Sequence, residues 1–415
     1  MRILVVTQYF WPEFFVINQL VQELSNQGHT VQVLTGKPNY PEGKIFSGYK
    51  EKDCQWEVFS KNINVFRAPL RPRYSGGSIN LARNYLSFIV NGLRFFPKAT
   101  KGKEYDVVFF FATSPLTSIV PAIYLKYKHK AHLCCWVQDL CPDSLSATGY
   151  IKNKVILMMM GWVARILYSF CDTVLIQSKS FTKQILSYTT EDKVFHFPNV
   201  LDKKTLEGEG ITEVPDHVNE HFKKDFNIVF AGNIGSLQSF PTILAAAKLI
   251  SDFPIKIIVI GDGSNYEWVL SEVEKLSLKN VVLLGRFPFE MMGGILNKAD
   301  ALLVSLKKDS EGLNYLSLTT PGKVQAYLAK GKPIIASLDG DGKDTILDAK
   351  AGLVSPAENV ELLAKNIINL SRMSKNELEA FGRNGVDYFL ENYEIKMQTN
   401  KLVKLLNQRL QQIKD

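Results

Sequence analysis

Short, unbroken apolar runs alternate with segments of helical spacing along most of this chain, and that order leaves few folds open. RILVVT (2–7), YDVVFFF (105–111), FNIVFA (226–231), KIIVI (256–260) and VVLLG (281–285) are continuous rather than alternating. Such runs suit strands buried on both faces, as in parallel sheets covered by helices on either side. The stretches between them carry apolar residues at i, i+3 and i+4. The expected fold class is therefore α/β, with doubly wound parallel sheets. At 415 residues the chain exceeds what one core ordinarily sustains, so two such domains are expected.

In the first half, RILVVT is followed by the loop QYFWPEF, a helix from about Phe15 to Gln27 and the strand HTVQVLT. This βαβ unit would hold a ligand in its strand-end loops. The loop GKPNYPEGKIFSGY is too rich in Gly, Pro and Asn for regular structure. Next comes a basic segment, Arg67, Arg71, Arg73, Arg83 and Arg94, interleaved with Tyr74, Tyr85, Phe88, Phe95 and Phe96. Its part from Ser78 to Phe96 has helical spacing and admits two readings: an amphipathic helix facing a membrane, or a helix packed on the sheet with its arginines in water. Strands are expected at 132–137, 171–178 and 194–197. A helix from Met158 to Phe170 should use its methionines as core filler. HFPNVLD (196–202) is the candidate hinge, which gives a first domain over 1–198.

The second half repeats the scheme. FNIVFA leads into Gly232-Asn233-Ile234-Gly235-Ser236 and a helix from Phe240 to Ser251. KIIVI ends in Gly261-Asp262-Gly263, and VVLLG ends in Arg286-Phe287-Pro288. After the strand ADALLVSL, LTTPGKVQAYLAKGKPIIAS (318–337) reads as a complete helix and strand. There Thr320 is the expected N-cap, Pro321 the first helical residue and Gly331 the C′ glycine. From Ala357 on, the chain should be almost wholly helical, with a long amphipathic segment from Asn376 to the end.

Charge is unevenly shared. Up to Pro198 there are 23 Lys and Arg against 13 Asp and Glu; from Asn199 on there are 26 against 28. The excess suggests an anionic partner for the first half, either a membrane surface or a phosphorylated substrate. No nucleic-acid recognition motif accompanies it. The five cysteines are odd in number and lack metal spacing, so free thiols in a reducing cytoplasm are expected. The longest apolar stretch, Val155 to Phe170, contains Arg165 and is too short to span a bilayer.

One glycine loop specifies little. Four strand-end loops that could converge (232–236, 261–263, 285–288 and 319–323) specify more, because a nucleotide diphosphate needs several donors. Glycines let the backbone approach phosphates, and helix starts supply N–H groups. Lys323 and Arg286 add positive charge for a leaving diphosphate. A Walker loop, a zinc ligand set, a Ser-His-Asp order and a glycosidase carboxylate pair are absent from the sequence. So is G-x-G-x-x-G, which argues against a dehydrogenase.

The motifs QYFWPE, TGKPNYPEG, WVQDLCPDS, VFAGNIGSLQ, VIGDG, LLGRFP, TTPGKVQAYLAKGKPIIA and GVDYFLENY occur in that order over nearly the whole chain. In them the chain resembles the family 4 GT-B glycosyltransferases, in the subgroup of bacterial O-antigen, capsule and colanic-acid transferases of the WbuB/WcaI type. The resemblance implies two Rossmann-like domains facing a cleft, with nucleotide-sugar binding in 199–390 and a C-terminal helix (391–415) returning to the first domain. It also implies retaining, metal-independent transfer without a cofactor, from a UDP-sugar to a lipid-linked glycan acceptor. The protein would be cytoplasmic and peripheral at the inner membrane, touching anionic lipids.

By motif, Gly232, Asn233, Ile234 and Gly235 match the phosphate-side loop, joined by Gly261, Asp262 and Gly263. Arg286, Phe287 and Pro288 match the loop around the base. Thr319, Thr320, Gly322 and Lys323 match the opening of the diphosphate helix. Asp139 matches the strand-end position beside the donor sugar. Tyr9, Trp11, Glu13, Tyr40, Arg71 and Arg73 are the acceptor-side candidates. Relatives carry two glutamates eight apart; here the second position is Ala326, leaving Gln325 as a ribose contact and Glu311 as a displaced first glutamate. Ser236 and Gln238 stand where relatives have Arg and Lys, which puts more weight on Lys323. The alternatives are a UDP-sugar 2-epimerase and a catalytically silent sugar-nucleotide-binding scaffold.

Overall fold

The structure is a computed structural model that describes residues 1–412 except 61, 75–76, 143–152, 205–212 and 310–315. The chain forms two compact units, Met1–Val200 with Ile395–Asp415, and Leu201–Glu394.

The first unit is built on β1 (Arg2–Val6), β2 (Thr30–Thr35), β3 (Gln55–Val58), β4 (Asn64–Arg67), β5 (Val107–Ala112), β6 (His132–Val137), β7 (Thr173–Ile176) and β8 (Val194–His196). Their order in the sheet is β3-β4-β2-β1-β5-β6-β7-β8. All neighbours pair in parallel except β3, which runs antiparallel to β4 at the edge. Every residue of β5 and β6 is buried, as their unbroken apolar runs require. Covering helices include α1 (Val16–Asn26), α2 (Ser78–Ala99), α3 (Val120–His129) and α4 (Lys154–Ser169). The order reverses between β1 and β5, so the loops after these two strands flank the crevice where open α/β sheets take ligands.

The second unit contains β9 (Phe226–Ala231), α5 (Phe240–Leu249), β10 (Ile255–Ile260), α6 (Tyr266–Lys275), β11 (Val281–Gly285), α7 (Phe289–Asn297) and β12 (Ala301–Ser305). It continues through α8 (Gly322–Lys330), β13 (Ile334–Ser337), α9 (Asp341–Asp348), β14 (Gly352–Ser355), α10 (Val360–Ser371) and α11 (Lys375–Asn392). Its six strands lie in the order β11-β10-β9-β12-β13-β14, all parallel. That is the 3-2-1-4-5-6 order of dinucleotide-binding sheets, with its switch point between β9 and β12. The last helix, α12 (Ile395–Gln412), returns to the first unit, where Ile395, Leu402 and Leu406 join the core beside Ile3, Leu20 and Leu24.

Several local expectations change. The edge pair β3–β4 lies between the expected loop and the basic segment; in β3 the residues alternate between half-buried and exposed, while β4 is buried after Asn64. From Ala357 on the chain is almost wholly helical as expected, but the long segment from Asn376 breaks at Tyr393–Glu394, where Leu201 pairs with Glu394. The break moves the second boundary from 390 to 394. Within 67–96, Tyr74 is exposed and Tyr85 and Phe95 are half-buried, while Arg83 and Arg94 face water as in the second reading of that segment. Phe88 and Phe96 are fully buried, and so is Arg67, which pairs with Glu57 and donates to the Gly36 carbonyl at 3.0 Å. The two methionines Met158 and Met159, expected in the core, are both 62% exposed. Thr320 is not the cap of α8; Pro321 takes that place, and the Thr320 hydroxyl donates instead to the Asp341 carboxylate.

Candidate functional site

The expected phosphate loops of the second unit are interlocked by their backbones. Gly232 N–H donates to Ile260 C=O at 2.9 Å, Ile234 N–H to Asp262 C=O at 2.8 Å, and Gly261 N–H to Gly285 C=O at 2.8 Å. Two of these glycines are required by space. A Cβ on Gly261 (φ +144°) would stand 1.9 Å from the Gly232 carbonyl oxygen, and one on Gly263 (φ +157°) 2.6 Å from Asn233 Oδ1. Asn233 is thus wedged between Gly263 and Gly235. Gln238 turns back to accept the Gly235 N–H at 3.1 Å, so its side chain shapes the loop instead of supplying charge. Lys307 N–H donates to Leu237 C=O at 2.9 Å, tying the loop after β12 to the same cluster.

Helix α8 begins against this cluster. Tyr327, fully buried one turn in, accepts the Ala231 N–H at 2.9 Å and donates to its carbonyl at 3.3 Å, which pins the helix to the end of β9. Lys323 then reaches under Gly232: a Cβ there would meet Lys323 Cε at 2.7 Å. Its ammonium lies 3.6 Å from the centroid of the Phe230 ring. The Nζ atom is buried and has no hydrogen-bond partner among the described residues. Burial pushes its pKa down to about 7. A buried cation with only an aromatic face for company is costly, and an anion would relieve it. The free N–H groups at the start of α8 favour the same ligand charge.

The other expected residues divide. Arg286 is exposed on the loop joined to Gly261 through Gly285, with Phe287 half-buried behind it and Pro288 capping α7. The Thr319 hydroxyl donates to Leu316 C=O at 3.1 Å, so both threonines shape the approach to α8 through their side chains. Asp309, unremarked in the sequence, accepts the N–H groups of Leu316 and Ser317 at 2.8 and 2.9 Å and fixes that approach. Gly322 has open space where a Cβ would go. Gln325 is buried in the packing of α8, and no hydrogen bond joins it to the glycine loops among the described residues. Glu311 lies outside the described residues. Among them, no group of three or more His, Cys, Asp or Glu is placed to hold a metal ion.

In the first unit, the loops after β1 and β2 are held together by Glu13. Its carboxylate accepts the N–H groups of Asn39 and Tyr40, both at 2.8 Å, and of Phe10 at 3.1 Å. Burial nevertheless pushes its pKa up to about 7, against those donors and Arg67. Glu13 is therefore a loop-holding group, not a carboxylate open to an acceptor. Tyr9 stacks on Phe15 at 5.2 Å, and the Arg73 guanidinium lies 5.2 Å from the Tyr40 ring and 5.9 Å from that of Tyr9. Trp11 and Tyr40 stay partly exposed at the edge of this cluster, and Arg71 is exposed. Beneath it runs a buried chain of amides that sequence reasoning missed: Gln8 Nε2 donates to Asn84 Oδ1 at 2.7 Å, and Asn84 Nδ2 to the Arg71 carbonyl at 2.6 Å. The signal available was an Asn on the apolar face of α2. Asp139 stands at the end of β6, half-buried, accepting the Ser114 N–H at 3.3 Å. That bond links the strand-end loops of β5 and β6.

Comparison with known proteins bears on both units. Residues 225–373, inside the second unit, match the sequence family described as glycosyl transferases group 1. The putative colanic acid biosynthesis glycosyl transferase WcaI of Escherichia coli (strain K12) is 22% identical over 342 residues, 80% of this chain and 82% of that one. Among solved structures, sucrose-phosphate synthase from Thermosynechococcus elongatus matches with a TM-score of 0.73 at 14% identity, over 98% of this chain and 99% of that one. Anabaena HepE in complex with UDP matches with a TM-score of 0.68 at 12% identity, over 98% and 100%. The architecture is the GT-B fold of two Rossmann-like domains.

Proposed function

We propose that this chain, a glycosyltransferase of the group 1 kind, moves a hexose or N-acetyl-hexosamine from UDP to a polyprenyl-diphosphate-linked glycan. The transfer retains anomeric configuration, needs no metal, and serves a bacterial surface polysaccharide at the cytoplasmic face of the inner membrane. The observation that carries the reading is Lys323, a buried ammonium without a hydrogen-bond partner among the described residues, beneath a glycine loop and beside a helix start. A nucleoside diphosphate supplies the anion that this arrangement lacks. The likeness to HepE with UDP and to a colanic acid transferase supports the donor and the pathway class.

In this reading the bond from the sugar C1 to the diphosphate oxygen breaks while C1 bonds to the acceptor hydroxyl, and the hydroxyl proton passes to the departing phosphate. Lys323 and the first N–H groups of α8 offset the charge that gathers on the diphosphate. Gly232, Gly261 and Gly263 leave room for it. Arg286 and Phe287 flank the base. Asp139, Tyr9, Tyr40, Arg71 and Arg73 make up the acceptor side of the first unit, and Asp139 orients the hydroxyl.

The test is UDP release from a panel of UDP-hexoses and UDP-N-acetyl-hexosamines, with and without a polyprenyl-diphosphate-linked sugar. Release should depend on acceptor, and the product should keep the donor's anomeric configuration. Asp139→Asn should cut turnover and leave UDP affinity intact. Isomerised donor in the absence of acceptor would favour a 2-epimerase, and release unaffected by acceptor would overturn the transfer reaction.

A further inference from the structure

Helix α4 breaks the rule that a helix apolar around its whole circumference lies in a core. Its inner stripe, Ala164, Leu167 and Tyr168, packs on the first unit. Its outer side is equally apolar: Val155, Met158, Met159, Trp162, Val163 and Ile166 are all exposed, Trp162 at 63%. Along its flank runs an apolar groove of about 330 Å³, from Ile156 and Met160 to Pro115 and Cys141. Those last two positions adjoin Ser114 and Asp139, so the apolar surface continues to the strand ends assigned to the acceptor.

We propose that the outer face of α4 seats the first unit in the surface of an anionic lipid bilayer. Charge selects this occupant over a second copy of the chain. The first unit carries 28 Lys and Arg against 14 Asp and Glu, and the second 21 against 27. Self-association through α4 would bring two strongly positive units together, whereas anionic headgroups complement them. Lys154 and Arg165 are exposed on the helix itself. Trp162 suits the headgroup boundary, where one edge of the ring is apolar and the other wet. Sixteen residues span about 24 Å, so the helix lies flat with one side submerged instead of crossing. Helix α2 adds to the surface: it and α4 both pack on the turn Leu116–Ile119, and it exposes Ile79, Leu86 and Arg83. The inference rests on the reading that the acceptor is lipid-linked, and it names the element that reaches the lipid.

Flotation of the full chain with vesicles of phosphatidylethanolamine and phosphatidylglycerol tests it. Wild type should float, and added salt should reduce but not abolish binding. Changing Met158→Ser, Met159→Ser and Trp162→Ser together should lower the bound fraction at least tenfold. These side chains are exposed, so the melting curve and transfer to a short-chain, water-soluble acceptor should not change. Should the triple variant misfold, brominated acyl chains give the answer: they should quench wild type more than Trp162→Phe, and equal quenching overturns the inference. Flotation of the folded triple variant at the wild-type level overturns it as well. So does light scattering that finds a wild-type dimer, lost in the variant while vesicle binding persists. Failure of the glycosyl transfer reading shows separately, as wild type that floats but transfers sugar to neither acceptor.

Discussion

Lys323 concentrates what one residue does here. Its pKa in the folded chain is about 7, against 10.5 for a free lysine, because burial disfavours the ammonium. Between those values the unfolded chain binds more protons, so stability rises with pH, and the penalty is fully present below pH 7. Lys323→Met should therefore stabilise the protein at pH 6 by up to about 5 kcal/mol, the scale of the fall from 10.5 to about 7, and the gain should fade toward pH 10. Thermal melts across that range check it. The same variant should lose about 10²–10³-fold in turnover, as for removal of one electrostatic donor to a developing charge. A bound diphosphate should also restore the ammonium. At pH 8, UDP binding should take up close to one proton in wild type and none in Lys323→Met, read by calorimetry in buffers of different ionisation enthalpy. Equal proton uptake by both proteins would remove Lys323 from the diphosphate.

At the scale of the element, two glycines of the site do different work. Gly261 holds a backbone conformation that side chains rarely adopt, against the Gly232 carbonyl. Gly261→Ala should cost about 3 kcal/mol or more, since the clash meets backbone and cannot be relieved by a rotamer. Gly322 is the first residue of α8, with open space at its Cβ. Gly322→Ala should stabilise the helix by about 0.5–1 kcal/mol. If the opening of α8 faces the diphosphate, the same methyl should weaken UDP binding, so melting temperature and affinity move in opposite directions. Unchanged UDP affinity would place the ligand elsewhere. The element scale is also where the sequence reading erred. The spacing of α4 gave a helix correctly, but periodicity cannot say whether an all-apolar helix is covered. For α2 the packed reading holds: Phe88 and Phe96 turn inward, and Arg83 and Arg94 stay in water.

For the molecule as a whole, the crossing of α12 matters most. Ile395, Leu402 and Leu406 lie in the core of a unit whose main part, Met1–Val200, ends long before them in the chain. Burial of each contributes roughly 1.5–3 kcal/mol, and together they rival the net stability of a domain. A chain ended after Glu394 should show a calorimetric transition lowered or lost for the first unit, with that of the second unit kept. An unchanged pair of transitions would mean that α12 adds little to the core.

The order of strands and helices, the glycine loops at strand ends and the charge excess of the first half were determined by local sequence, because apolar runs, turn residues and net charge are properties of neighbours along the chain. Gly331 ended α8 as expected, in a left-handed conformation. Tertiary structure decided the rest. It placed the Lys323 ammonium beneath Gly232 and drew Glu13 inward to join two loops. It also paired Thr320 with Asp341 and left Met158 and Met159 on the surface. Each of these depends on what a distant segment brings to within a few ångströms, and no periodicity along the chain carries that.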